Sequence, residues 1–447
     1  MNACANCPVA DNRLRDAGRR RFARSLGMAV FPSPNGRTVP RARAQARRQL
    51  LPLTSLRFFA CFAVFLHHCV DFTSPAGDTT HHGLYGILWQ GWSGVSFFFV
   101  LSGFILAYTY RDRLTRADGP ALRGFYASRI ARIYPLGLAT FLVAAVALGA
   151  QWARAGIAGV ATAAAQLTLT QAWLPFGDPF AHGRLAALGF DGPAWSLSCE
   201  AFFYLLFPFL LVTLARRRAW QLGIVAAEAW GWALMLAFEL RGSTIAGWAL
   251  YIFPPVRLAE FVVGVCAGLV FLELGERVPG GGRLWTALEA GSLALLGGAV
   301  AASSMVATVL LYATYYVPFF ALVIAVFAVG RGRLSQLLHT RALVLAGEVS
   351  FAIYLIQVLI LRAAVWLGLF DGRLPSTLVL AGVFAATFAV STAVHLRFER
   401  PMRGWARRRL DRPAASPVPA AAALAVAGRR PGYPSPGIPG AATGARR

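Results

Sequence analysis

Runs of about twenty apolar residues recur along most of this chain, and they restrict its fold more than any other feature. A helix of that length matches the hydrocarbon thickness of a bilayer, and a helix satisfies its own backbone hydrogen bonds in lipid. Ten such runs lie near residues 53–72, 91–110, 133–151, 195–214, 219–239, 256–274, 284–303, 307–329, 343–366 and 376–396. The sequence therefore predicts an all-α integral membrane protein, a bundle of about ten transmembrane helices.

Composition and charge placement favour the same class. The chain is 57% hydrophobic and 14% charged, whereas soluble domains carry about 25% charge. A net charge of +24 is compatible with nucleic-acid binding, but the arginines crowd both ends and alternate connections between the apolar runs, as the positive-inside rule requires. We therefore predict no nucleic-acid partner, a lipid bilayer as surroundings, both termini in the cytosol, and a multi-pass location in a bacterial plasma (inner) membrane.

The chain divides into three predicted parts. Residues 1–49 form a basic, disordered cytosolic arm, residues 50–402 the transmembrane domain, and residues 403–447 a disordered cytosolic tail rich in Pro, Ala and Arg. The longest outer connection, about 152–194, is long enough to cover the outer mouth as a lid or substrate surface. We predict no metal site, because the adjacent residues His81 and His82 are poorly placed for chelation.

The first apolar run contains ionisable residues, in the stretch RFFACFAVFLHH at 57–68. Such residues cost roughly 2.5–3.5 kcal/mol each in lipid and so tend to mark function. Arg57 and His68 are eleven residues apart, which places them on one helical face about 16 Å apart along the axis, with His67 about 80° away. A phosphate-bearing ligand could bind Arg57 and present its reactive end to His68. The alternative is an interfacial arginine and a hydrogen-bonded histidine without function.

Two further stretches carry polar or small residues. RGFYASRIARIYP, at 123–135, places Arg129 and Arg132 on one face just before Pro135, the expected start of the third span. They are either a charge anchor or a second set of phosphate contacts. In the second run, Ser102 is a possible nucleophile, but its neighbour Gly103 favours close helix packing.

The stretch PAWSLSCEAFFYLLFP, at 193–208, places a carboxylate in an apolar helix. Glu200 has Ser196 and Tyr204 four residues to either side, in the same run as Trp195. An intramembrane carboxylate needs a partner, and either His68 or an arginine would serve.

Two more polar pairs share helical faces. Arg257 and Glu260 are spaced i,i+3 in the sixth run, as side chains that meet on a helix surface are. Ser350 and Tyr354 place two hydroxyl groups on one face of the ninth run.

Taken in order, these motifs resemble the membrane-bound acyltransferase-3 family over about residues 50–402. The matching segments are Arg57-x10-His68, GVSFFFVLSGF, RIARIYP, PAWSLSCEAFFYLLFP, RLAEFVVG, GEVSFAIYLIQ and FERP. The resemblance implies a ten-span O-acyltransferase that uses cytosolic acyl-CoA, with Arg57 and His68 at the family's essential positions. Two positions depart from the family pattern: Gln357 stands where many members have histidine, and Ala201 stands where many have a second acidic residue.

The resemblance predicts a membrane-bound O-acyltransferase, most simply an O-acetyltransferase, with acetyl-CoA as donor substrate and no permanently bound cofactor. Arg57, Arg129 and Arg132 would bind the donor. His68 would act as general base or carry the acyl group, with Glu200 supporting it. Residues assigned to substrate contact or support are Ser102, Trp195, Ser196, Tyr204, Arg257, Glu260, Ser350 and Tyr354.

The expected acceptor is a hydroxyl group of a cell-surface or exported carbohydrate such as an exopolysaccharide, and glycan-biosynthesis proteins are candidate partners. Three alternatives stay open. The acceptor could be a macrolide or another small-molecule glycoside. The chain could instead be a transporter of acylated glycan units, or a non-catalytic membrane partner of a glycan synthase.

Overall fold

The structure is a computed structural model, and it describes residues 48–73, 83–114, 119–154, 156–175, 191–274, 278–371 and 375–410. Within these ranges every regular element is a helix, and ten helical segments are long and apolar enough to cross a membrane. The predicted all-α, ten-span architecture is confirmed. The predictions for the basic arm up to residue 47, the tail after Leu410, the His81–His82 pair and residues 176–190 of the outer connection lie outside the described residues.

Sixteen α-helices are present in the described residues. In chain order they are α1 (Leu51–Thr73), α2 (Gly83–Trp89), α3 (Gly94–Tyr110), α4 (Gly119–Arg154), α5 (Ile157–Leu167), α6 (Trp195–Leu214), α7 (Ala219–Glu239), α8 (Ala246–Tyr251), α9 (Pro254–Leu274), α10 (Gly282–Ala301), α11 (Thr308–Ala313), α12 (Val317–Val329), α13 (Arg333–Leu337), α14 (Arg341–Trp366), α15 (Ser376–Val394) and α16 (Arg400–Leu410). Short 3₁₀ turns lead into α3 and α6, and a π-helical turn, His395–Glu399, joins α15 to α16.

Helices α3 and α9 pack in backbone contact in the core. A Cβ atom at Gly264 would overlap the carbonyl oxygen of Val100, and one at Gly103 would overlap that of Phe261. Gly268 makes a third contact of this kind. We call Gly103, Gly264 and Gly268 the glycine seam. Small residues allow backbones to approach in this way, so the predicted packing role of Gly103 is confirmed.

Helix α1 is held by backbone contacts from two different neighbours. A Cβ atom at Gly91, in the turn before α3, would overlap the carbonyl oxygen of Ala63. A Cβ atom at Gly347 of α14 would overlap that of Thr54. Because main-chain atoms have no rotamers to change, these contacts fix the position of α1 tightly.

The third span begins much earlier than the sequence indicates. We expected it at 133–151, with Pro135 at its start, but α4 begins at Gly119 and continues through Pro135 to Arg154. Membrane helices tolerate an interior proline because neighbouring groups satisfy the freed carbonyl. Arg129 and Arg132 are therefore carried by the same continuous helix as the span, not by a loop before it.

The last span also continues further than expected. After the π-helical turn the chain forms α16 as far as Leu410, past residue 403, where we expected the disordered tail to begin. Glu399 explains the extension, since it contacts His395 Nδ1 at 2.7 Å and pairs with Arg403 one turn later. Pairs at i,i+4 spacing stabilise a helix across that boundary.

The glycine seam predicts a sharp position dependence of stability. Gly264→Ala should lower the unfolding temperature, because overpacking a tight contact costs about 1–3 kcal/mol. Gly291→Ala is the matched control, since a Cβ atom there meets no other atom within 4 Å. The measurement is thermal unfolding of detergent-solubilised protein. Equal unfolding temperatures for the two variants would contradict this account of the seam.

Candidate active site

Three arginines predicted to bind phosphate come together beside the first half of α1. Arg132 of α4 and Glu200 of α6 both lie within electrostatic range of Arg57. Tyr204, one turn after Glu200, lies within range of both Arg129 and Arg132. We call Arg57, Arg129 and Arg132 the arginine cluster. Its members are half-buried side chains on α1 and α4.

Aromatic rings hold the α4 arginines in place. The Arg129 guanidinium lies over the rings of Tyr110 and Tyr204, 5.6 Å from each centroid. The Arg132 guanidinium lies 5.6 Å from the ring centroid of Phe351 on α14. Cation–π contacts of this kind orient the guanidinium plane. The two α4 members of the cluster are therefore largely organised before any ligand binds, which lowers the entropy lost on binding.

Glu200 is associated with the arginine cluster. The Tyr204 hydroxyl donates to Glu200 Oε2 at 2.8 Å, so this half of the predicted polar stripe is confirmed. Ser196 is placed differently, because its hydroxyl donates to the Pro193 carbonyl at 3.1 Å. Glu200 lies within electrostatic range of Arg57, and an arginine as its partner stays a prediction. A role for Glu200 beside His68 stays a prediction.

His68 lies buried near α14. Its side chain is buried, and its Nδ1 atom has no hydrogen-bond partner among the described residues. The charge that reaches it belongs to Arg362 of α14. His67 is also buried, but its ring packs edge-on against Trp89 with centroids 4.6 Å apart. The two imidazole rings lie 5.3 Å apart, so the histidines share one buried region and differ in their other neighbours, Trp89 for His67 and Arg362 for His68.

Arg257 and Glu260 form a fully buried ion pair, with Nη1 and Oε1 2.9 Å apart. The predicted i,i+3 pair is confirmed. Arg257 also donates to the Tyr312 carbonyl at 2.7 Å and to the Ser96 hydroxyl at 3.1 Å. These bonds join α9 to α3 and to the segment around α11. The pair is thus a structural connection in the core of the bundle.

The remaining predicted residues fall into packing and connecting roles. Trp195 packs against Tyr251 with ring centroids 4.9 Å apart, and Ser102 is half-buried next to the glycine seam. Ser350 donates to a carbonyl of its own helix, that of Gly347, at 2.8 Å. Tyr354 instead donates to the Pro193 carbonyl at 3.0 Å, which ties α14 to the turn before α6.

Two ionisable residues of this region were missing from the sequence-based site. Asp191 is fully buried directly before the turn Gly192–Ala194, and Arg362 lies on α14 within electrostatic range of both Asp191 and His68. Arg362 was detectable as a charge inside an apolar run. Asp191 could be found only as an acid adjoining such a run. Among the described residues, no three His, Cys, Asp or Glu side chains form a group that could hold a metal ion.

The buried ion pair predicts a stability effect that a paired substitution partly reverses. Arg257→Met leaves Glu260 buried without its cation and should cost about 3–5 kcal/mol of unfolding free energy. Arg257→Met combined with Glu260→Gln removes both charges, so part of the stability should return. Thermal unfolding of both proteins in the same detergent tests this. A double variant no more stable than the single one would show that the charges themselves are unimportant.

Comparison with known proteins agrees with this geometry. Residues 53–396 match an acyltransferase domain family, acyltransferase-3, which covers the membrane helices and includes Arg57, His68 and Glu200. The chain is 33% identical over 336 residues to the protein named acyltransferase MdmB of Streptomyces mycarofaciens, an alignment that covers 70% of this chain and 79% of that protein. No solved structure matches the chain. From its ten spans and this match, the chain belongs to the acyltransferase-3 family of membrane acyltransferases.

Proposed function

We propose that this protein is an O-acyltransferase that moves an acyl group, most simply acetyl, from acyl-CoA to a hydroxyl group of a cell-surface or exported carbohydrate. The observation that carries the proposal is the meeting of Arg57, Arg129 and Arg132 beside α1, the helix that also presents His68. Membership of an acyltransferase family supports the reaction class.

The arginine cluster supplies what a coenzyme A donor requires. Guanidinium groups bind phosphate oxygens through paired hydrogen bonds, and the cluster offers several at one place. Glu200 and Tyr204 lie within electrostatic range of these cations, and the negative charge of Glu200 would offset the repulsion between them. A donor bound there by its phosphates would extend along α1 towards His68, about 16 Å away along the helix axis.

His68 fits the role of general base at the acyl end. Its imidazole takes the proton of the acceptor hydroxyl while the hydroxyl oxygen attacks the thioester carbonyl. The new C–O bond forms, the C–S bond breaks, and the proton passes from His68 to the departing thiolate of coenzyme A. The buried position of His68 on the helix that also carries Arg57 supports this assignment. In the second route, His68 itself carries the acyl group before the hydroxyl attacks.

We propose a cell-surface or exported carbohydrate as the acceptor because the sequence motifs resemble a family that acylates carbohydrates, and a macrolide or another small-molecule glycoside is the alternative. The test compares the acetyl content of the cell-surface glycan in strains with and without the gene. We expect loss of acetyl groups on deletion and recovery with the wild-type gene, but not with His68→Gln. An unchanged glycan would count against the carbohydrate acceptor. Acylation that persists in vesicles without the gene, while export fails, would instead favour a transporter.

Arg57 and His68 should have separable functions. Arg57→Lys keeps the charge and loses the planar fork, so it should weaken acetyl-CoA affinity by roughly tenfold. His68→Gln should lower acetyl transfer by about 10²–10⁴-fold and leave donor affinity nearly unchanged. Both quantities are measured on purified, monodisperse protein.

His67→Gln is the matched control for His68→Gln, because it makes the same chemical change one residue away. His67 packs against Trp89, so its replacement should retain most of the transfer activity. If His67 proves essential and His68 dispensable, the assignment of the base is wrong.

A further inference from the structure

Asp191 is held on a rigid turn at the start of α6. The Ala194 amide donates to the Asp191 carbonyl at 3.0 Å, and Gln171 Nε2 donates to the Ala194 carbonyl at 2.7 Å. The Tyr354 hydroxyl holds the Pro193 carbonyl from α14 at 3.0 Å. The backbone of this turn is therefore fixed from two other segments, which positions the Asp191 side chain before any ligand arrives.

The Asp191 carboxyl group is buried without the partners it needs. It is fully buried, and neither of its oxygens has a hydrogen-bond partner among the described residues. The Thr140 hydroxyl lies close enough to interact weakly with this carboxyl group, but its hydrogen bond goes to the Gly137 carbonyl at 3.1 Å. Burial raises the pKa of Asp191 to about 7, while Thr140 and the positive charge of Arg362 act to lower it.

Near neutral pH this carboxyl can both accept and donate hydrogen bonds. Burying a carboxyl group whose neighbouring donor is bonded elsewhere is costly, which points to a ligand that supplies the missing hydrogen bonds.

Helices α1 and α14 lie side by side and place His68 at the same height as Arg362, which interacts with Asp191. They run in the same direction, since Thr54 contacts Gly347 near their first turns. Phe65 and Leu361 share one apolar cluster further along. His68 follows Phe65 by three residues, and Arg362 follows Leu361 directly. Consistent with this register, the charge of Arg362 reaches both His68 and Asp191.

We propose that Asp191 and Arg362 form the acceptor subsite, in which the Asp191 carboxyl hydrogen-bonds to a hydroxyl neighbouring the one that is acylated. This inference rests on the proposed function. The ligand class is a neutral polyhydroxylated molecule, because a sugar presents adjacent hydroxyl groups that can both donate and accept. Arg362 is a positioning residue, which acts on the acceptor through Asp191.

Two features favour the acceptor over the donor at Asp191. A carboxylate repels the phosphates of coenzyme A, whereas the arginine cluster attracts them. The two groups of charges also lie at different levels of α1, with Arg57 in its second turn and His68 in its fifth. An acceptor bound at Asp191 would thus reach His68 without passing the donor phosphates.

The experiment separates the two substrates kinetically. Purified protein is given labelled acetyl-CoA and, as acceptor, the surface polysaccharide isolated from a strain that lacks the gene. We expect Asp191→Asn to raise the acceptor KM at least about tenfold. The acetyl-CoA KM and the slow hydrolysis of acetyl-CoA by water should stay at wild-type values. Arg362→Gln should change the same parameter, and the double variant should be no worse than the worse single one, because both act at one contact.

Asp371→Asn is the matched control, since it makes the same change at an exposed carboxylate just beyond α14. Wild-type affinity for acetyl-CoA shows that each variant is folded, and Arg362→Gln provides an independent lesion if Asp191→Asn does not accumulate. An unchanged acceptor KM, or an equal rise in the donor KM, would overturn the subsite. A wild-type protein that transfers no acetyl to the polysaccharide would instead overturn the proposed function itself.

Discussion

The contact of α3 with α9 at the glycine seam is the constraint on which the rest of the bundle depends. In lipid, helices gain little from burying apolar side chains, because the surrounding lipid tails are equally apolar, so close packing has to supply the association. Gly103 and Gly264 allow the two backbones to touch. That approach in turn places Arg257 of α9 within reach of Ser96 on α3. A buried ion pair that would be costly elsewhere is thereby satisfied by neighbours at fixed positions.

Helix α1 carries the central residues of the candidate site. Glycine contacts hold it on two sides, and its polar residues lie near its beginning and near its end. Near its beginning, Arg57 joins arginines from the long helix α4 and the Glu200–Tyr204 pair of α6. Near its end, His68 lies close to Arg362. The proposed donor and acceptor contacts therefore come from different neighbours of one helix. The arginines that attract phosphate are thus separated from the carboxyl group of Asp191, which repels it.

Much of the fold followed from local sequence, because span length and i,i+3 spacing depend only on nearby residues. The ten spans, the Arg257–Glu260 pair and the packing role of Gly103 were predictable for this reason. The start of α4 was not, since proline usually ends a helix and only neighbouring helices make Pro135 tolerable. The surroundings of Glu200 and Asp191 were also beyond local reasoning. They depend on which helices become neighbours, and a single sequence does not encode that in any short pattern.

The placement of Arg57 and His68 on one helix has a consequence for substrate choice. Their interval is set by peptide geometry, and no loop movement can shorten or lengthen it. Under the proposed function, the helix selects donors by length. The arm that joins the phosphate to the acyl carbon must span the distance from Arg57 to His68. Acyl phosphates and other compact activated esters would bind at one end and fall short of the other. Selectivity for coenzyme A as the acyl carrier would then depend on the length of its arm and not on which acyl group it carries.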